Sequence, residues 1–206
     1  MQNNHSEAFD VCGLRDLSHL KTSNLLEHAL STFFQGSAFG SDETTNLCRN
    51  FFRLVDQTVS EYENCRRLWR HMIERRAQQS GDLGVLGLLF RLIGHVETVV
   101  VCLHRTILFA DALDGKLFDV NRSVITECHV KDIKDFRHAI LHWDERVTGK
   151  AAGRGELIVA IGDVNMMQLA PAYVELLGKR LDYLRLSESV EHMHRLARQL
   201  ITAQPA

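Results

Sequence analysis

LGVLGLLFRLIGHVETVVVCLHRTILF, residues 83–109, is the longest apolar run in the chain. A membrane-spanning helix needs about 18 or more residues with few charges. Here Arg91, His95, Glu97, His104 and Arg105 interrupt the run. It therefore reads as the buried central helix of a bundle, continuing to about residue 113, and no membrane is expected among the partners. Upstream, Ser80-Gly81-Asp82 breaks the chain, with Asp82 placed to cap the central helix. Before that break, residues 44–77 carry Leu47, Phe51, Val55, Val59, Tyr62, Cys65, Trp69, Met72 and Ile73 at three-and-four spacing, which predicts one long amphipathic helix. The two helices should pair antiparallel. Downstream, Asp114-Gly115 ends that hairpin, and Val130, Ile133, Phe136, Ile140, Trp143 and Val147 mark a third helix over 130–147.

The flanks are less regular. Leu14, Leu17, Leu25, Leu26, Leu30 and Phe33 predict one or two short helices before a linker at Gly36 to Ser41, so residues 1–40 read as a helical extension of a bundle over 41–206. Residues 148–155 are loop-like. Glu156-Leu-Ile-Val-Ala-Ile161 has β-branched character, Gly162-Asp163 suits a turn, and a β-hairpin insertion is expected near 156–169, although four successive apolar residues also fit a buried helix turn. Pro171 suits a helix start, and Tyr173, Leu176, Leu177, Leu184, Met193, Leu196 and Leu200 suggest a final helix over 171–201, with Ser187-Glu-Ser189 as an interruption. The expected class is all-α: an antiparallel bundle of four to six helices with one small β insertion.

With 206 residues, 45% of them hydrophobic, and two prolines, the chain can bury a real core as one compact domain. A net charge of −2 gives no global basic field, so any nucleic-acid contact must be local. Cys12, Cys48, Cys65, Cys102 and Cys128 form an odd set without a C-x-x-C pair, which suits reduced thiols. The N-terminus has neither a basic n-region nor an apolar h-region, so a cytoplasmic location is expected. Glycine-rich phosphate loops, nucleophile elbows and H-E-x-x-H patterns are absent from the sequence.

Chemistry concentrates in Asp135-Phe-Arg-His-Ala-Ile-Leu-His-Trp-Asp-Glu-Arg-Val147. At about 100° per residue, Arg137 falls on the border of the apolar arc, while His138 and His142 project away from it. Arg137-His138-Ala-Ile-Leu-His142 resembles the R-x4-H signature of the HEPN superfamily, small helical nucleases that place a polar residue directly after the arginine. Two long helices before the motif and one after it fit that layout. Two sequence features depart from the family's commoner forms: His138 stands where asparagine is more frequent, and Asp144 stands where one toxin branch carries tyrosine. The resemblance implies RNA cleavage at a composite homodimer site without metal or other cofactor. His142 would be the acid/base group, Arg137 the phosphate clamp, and His138 an orienting group or second proton carrier. It further implies a defence or toxin–antitoxin setting, with a cognate antitoxin or inhibitor as a protein partner.

Other readings stand beside this one. A non-catalytic HEPN-like module would bind RNA, a nucleotide or a protein through the same cleft. A metal-dependent helical-bundle hydrolase would use Asp135, His138 and His142, which follow i, i+3, i+7 along one helical stripe. Arg137, Asp144 and their neighbours also fit a plain salt-bridged surface. The basic stretch from Arg66 to Arg76 reads as a solvated face with Trp69 turned to the core. His192 and His194 read as surface residues. His95, Glu97 and His104, inside an apolar helix, read as satisfied core groups or as support behind the motif.

Overall fold

The computed structural model describes residues 13–22, 25–34, 39–78, 83–114, 116, 128–147, 167–170 and 172–202. A 3-10 turn at Ser18–Thr22 and helix α1, Leu25–Phe34, lead into α2, Asp42–Gln78, and α3, Leu83–Leu113. Helix α4 covers Val130–Val147, strands β1 Met167–Leu169, β2 Tyr173–Leu176 and β3 Lys179–Asp182 follow, and α5, Tyr183–Thr202, ends the described fold. The class is all-α with a small antiparallel sheet, as expected.

The long pair α2 and α3 is the frame. Ser41 caps α2, its hydroxyl accepting the Thr44 N–H at 3.1 Å. Three cross-links fix the antiparallel register: Lys116 to Glu43 at 2.6 Å, Thr58 to Thr106 at 3.5 Å and His95 Nδ1 to Glu61 Oε2 at 2.7 Å. Phe51, Val55, Val59, Tyr62, Cys65 and Trp69 of α2 are buried against Leu92, Val96, Val99, Leu103 and Ile107 of α3. Phe90–Leu113 is apolar and long enough to cross a bilayer by composition. Here its inner side is core, and the His95–Glu61 pair satisfies one of its ionisable groups. The four described cysteines are buried and form no disulfide with one another.

The N-terminal segment is bolted to this frame. Leu14, Leu17 and Leu25 belong to the same hydrophobic cluster as α2, α3 and α5. The Leu17 N–H donates to buried Glu63 Oε1 at 2.8 Å, Tyr62 Oη donates to the Arg15 carbonyl at 3.0 Å, and Arg66 pairs with Asp16 at 2.9 Å.

The sheet corrects one expectation. Residues 156–166 lie outside the described residues, and the strands run from Met167 to Asp182, where a helix from Pro171 was expected. Tyr173, Leu176 and Leu177 fit a helical spacing, but burial alternates along β2, with Val174 and Leu176 inside, and Leu181 of β3 joins them. Leu177 and Gly178 form the two-residue turn, with φ of 51° and 73°. Positive φ at both positions matches the primed turn that suits hairpin twist, although leucine is an uncommon occupant. Across the strands Arg180 lies over the Tyr173 ring at 3.6 Å.

Helix α5 also departs from expectation at its serines. Ser187 and Ser189 are fully buried inside an unbroken helix. Their hydroxyls donate back to the Tyr183 and Arg185 carbonyls, and Ser189 also reaches the Cys128 carbonyl at 2.8 Å. Ser187 lies 2.7 Å from the Tyr62 hydroxyl. Small hydroxyls thus let α5 approach α2 and the start of α4. His194 is buried as well, contrary to the surface expectation, beside His19 and Leu20 of the N-terminal turn.

Candidate functional site

Helix α4 carries the motif, and its first residues are fixed before the motif begins. His129 adopts a φ of 46°, its carbonyl accepting the N–H groups of Asp132 and Ile133 at 3.0 and 3.2 Å. Its ring meets Glu188 of α5 at 3.1 Å, and Arg185 pairs with Asp132 at 2.5 Å. These ties set the rotation of α4. Ile133, Phe136 and Ala139 then point into the core, with Ile140 packed against it.

Four side chains are turned outward by that packing. Arg137 is half-buried at the border, and His138, Leu141 and His142 are exposed. The expected helix span and the outward placement of both histidines match the structure. The two imidazoles stack, with centroids 5.6 Å apart and planes 9° from parallel. Leu141, 46% exposed, stands one turn beyond Arg137 and His138. On α3, Leu108 is likewise 55% exposed.

Asp135 does not join the histidines. Among the described residues no group of three or more His, Cys, Asp or Glu side chains is gathered so as to hold a metal ion. A shared helical stripe gives proximity, but parallel stacked rings present faces to each other rather than converging nitrogens. The Asp135, His138 and His142 set is therefore not a formed triad. The side chains of 143–147, Asp144 included, lie outside the described residues.

One residue enters the site from another helix. His104 of α3 is buried, and its Nδ1 has no hydrogen-bond partner; the same holds for Arg137 Nε, which is closed off from water. Burial first, then the positive charges of Arg137, Lys134 and His138, holds the His104 imidazole below the usual histidine range. His104 thus lies within reach of the charges on the motif face of α4, the helix packed on α3. The sequence reads His104 as a satisfied core group or as support behind the motif; which of the two it is depends on how α3 and α4 cross. His95, by contrast, is satisfied by Glu61 and takes no part.

The basic stretch of α2 is organised differently. Trp69 is in the core, and Arg66, read from sequence as part of a solvated face, is buried between Asp16 and Glu63. Arg67 and Arg70 are exposed beside it, lining a groove with Lys21, His71 and Glu74. The carboxylates here answer the guanidinium, whereas the groups acting on His104 are all positive.

Comparison of the chain with family models, with curated proteins and with solved structures found no match.

Proposed function

We propose that this protein is a metal-independent endoribonuclease of HEPN type whose active centre is completed by a second copy of the chain. The observation that carries this reading is the outward cluster on α4: Arg137, His138 and His142 grouped outside the core around an exposed leucine. A guanidinium binds a phosphate through a bidentate fork, and an imidazole exchanges protons near neutral pH. Together they supply what transphosphorylation needs. His142 accepts the ribose 2′-hydroxyl proton as that oxygen attacks the adjacent phosphorus. The bond from phosphorus to the 5′-oxygen breaks, and the leaving oxygen receives a proton from the partner imidazole, His138 or His142 of the second copy. The products are a 2′,3′-cyclic phosphate and a 5′-hydroxyl. Arg137 holds the charge that builds on the phosphoryl oxygens.

A five-residue spacing places Arg137 and His142 about 140° apart around one helix, so a facing copy brings the two groups to one phosphate. The outer side of α3 supports such a pairing. Gly87, Gly94, Val101 and Leu108 recur every seven residues along it, with Phe90 beside them 65% exposed. Gly87 and Gly94 are exposed, and a Cβ at either would meet nothing within 4 Å. Each glycine weakens the helix by about 1 kcal/mol relative to alanine, and no close approach within the described protomer requires it. Close approach of a second α3 gives them a purpose.

The test incubates the protein, Arg137→Ala and His142→Ala with total RNA in excess chelator. The wild type should cleave to cyclic-phosphate ends, and each variant should lose at least roughly a hundredfold. Cleavage surviving in either variant would remove the roles given to these residues. Loss of wild-type cleavage on chelation would favour a metal-dependent hydrolase. Binding of RNA without cleavage would leave the non-catalytic module.

A further inference from the structure

A buried nitrogen without a partner costs about 1–3 kcal/mol of desolvation, so such atoms are rare in folded proteins and call for an explanation. Two of them, His104 Nδ1 and Arg137 Nε, occur on the facing helices α3 and α4. The side chain of His104 is more than nine-tenths buried, with 9% of its surface exposed. Among the described residues the charges that act on it come from Arg137, Lys134 and His138 of α4; α2 and α5, which also pack on α3, contribute none, and no described carboxylate is among them. Among the described residues Arg66 is matched by Asp16 and Glu63, His95 by Glu61 and His129 by Glu188, while buried His194, beside Arg198 and His19, is hydrogen-bonded to the Leu20 backbone instead of a carboxylate. The His104 cluster differs in having a second buried nitrogen without a partner, Arg137 Nε, on the helix packed against it, and no anion among the described residues.

We propose that this cluster is an oxyanion site, taking one phosphate group between α3 and α4 with His104 and Arg137 as its hydrogen-bonding ligands and Lys134 alongside. The inference rests on the nuclease reading only for the source of the phosphate, the backbone of a bound RNA strand. Arg137 is half-buried, so a rotation of its flexible side chain opens the site while its guanidinium keeps one edge on the ligand. An imidazole kept neutral by burial and by cationic neighbours becomes a better proton acceptor once a phosphate offsets those neighbours. His104 therefore takes up a proton on binding and donates through Nδ1, linking phosphate affinity to pH. His104 is a positioning residue here: it seats the phosphate against Arg137, while His142 acts on the 2′-hydroxyl.

The experiment follows the histidine ring nitrogens by NMR at pH 7 while inorganic phosphate, and separately a 2′-O-methyl oligoribonucleotide that cannot be cleaved, is added to the full chain. The His104 nitrogens should move from a neutral-tautomer pattern to that of an imidazolium with either ligand. His104→Phe, which fills the space without a donor, should bind phosphate at least about tenfold more weakly. His104→Asn restores a donor near Nδ1 and should recover most of the affinity without its pH dependence. A purely structural histidine predicts the reverse of the Phe result, unchanged binding. A response to free phosphate but not to the oligonucleotide would keep the anion site and place its source outside RNA. If neither ligand moves the His104 resonances, or if His104→Phe binds as the wild type does, the proposal falls, and a buried water is the better explanation of the two nitrogens. His142→Ala separates the two readings: it should abolish cleavage yet leave phosphate binding intact. Phosphate binding in a protein that never cleaves RNA would sink the nuclease and keep the site.

Discussion

Replacing Gly87 and Gly94 by alanine should stabilise the protomer and weaken its self-association, two effects of opposite sign from one change. Both glycines lie inside α3 on its outer side, and an added Cβ at either meets nothing within 4 Å. Neither has a positive φ, so alanine fits the backbone without strain. The gain in helix propensity is about 0.8–1.0 kcal/mol per site. The sites stand two turns apart, near the distance at which substitutions add, so the double variant should gain about 2 kcal/mol. With a urea m-value of about 2 kcal/mol/M, that shifts the unfolding midpoint up by about 1 M. If two α3 helices pack along this stripe, the same methyl groups overfill the contact, at about 1–3 kcal/mol, and the dimer dissociates roughly tenfold or more readily. Urea titration at low protein concentration reads the first effect, and sedimentation equilibrium over a concentration series reads the second. Variants that are more stable and dimerise as the wild type does would show that this face is not the contact. Variants that are less stable would show that the glycines serve the protomer itself.

Other consequences concern the core and its ionisable groups. Glu63→Ala should cost about 3 kcal/mol, the lower end for breaking a buried pair, because Asp16 still holds Arg66; Glu63→Gln, which keeps an acceptor for the Leu17 N–H, should cost less in a denaturant titration. Leu17→Ala removes a fully buried side chain from the shared cluster and should cost about 2–5 kcal/mol; a cost below about 1 kcal/mol would mean that the N-terminal segment is not part of the cooperative core. His104 and His194 both have lowered pKa values, burial being the first cause in each case. The unfolded chain therefore binds protons first, so their stabilising effect is complete above about pH 6.5 and declines as the pH falls below it. Urea midpoints in phosphate-free buffer should drop between pH 8 and 5.5, and His194→Phe should flatten that slope; a midpoint that rises on acidification contradicts it. Leu108→Glu and Leu141→Glu place charge on the exposed apolar rim and should yield monomers without ribonuclease activity, as light scattering and RNA gels would show.

Local periodicity was sufficient for the helices. The spacing of Phe51, Val55, Val59 and Tyr62 and the outward arc of His138 and His142 depend only on 3.6 residues per turn, so α2, α3 and α4 were legible along the chain, as was the face of α4 that bears the motif. Periodicity failed where two patterns coincided. Tyr173, Leu176 and Leu177 fit a helix, and no Asn-Gly or Asp-Gly advertised the turn that Leu177 and Gly178 make, so β2 and β3 emerged only from their pairing. The serines of α5 broke a propensity rule because their hydroxyls bond backward within the helix and across to α2 and α4.

The sequence by itself determined which residues turn away from the core, because that follows from the repeat of a single helix. Only the tertiary structure decided what those residues face. The crossing of α3 and α4 sets His104 near Arg137, Lys134 and His138, and the N-terminal turn buries His194. Both are contacts between segments far apart in the chain, formed when apolar faces pack, and no local spacing encodes them.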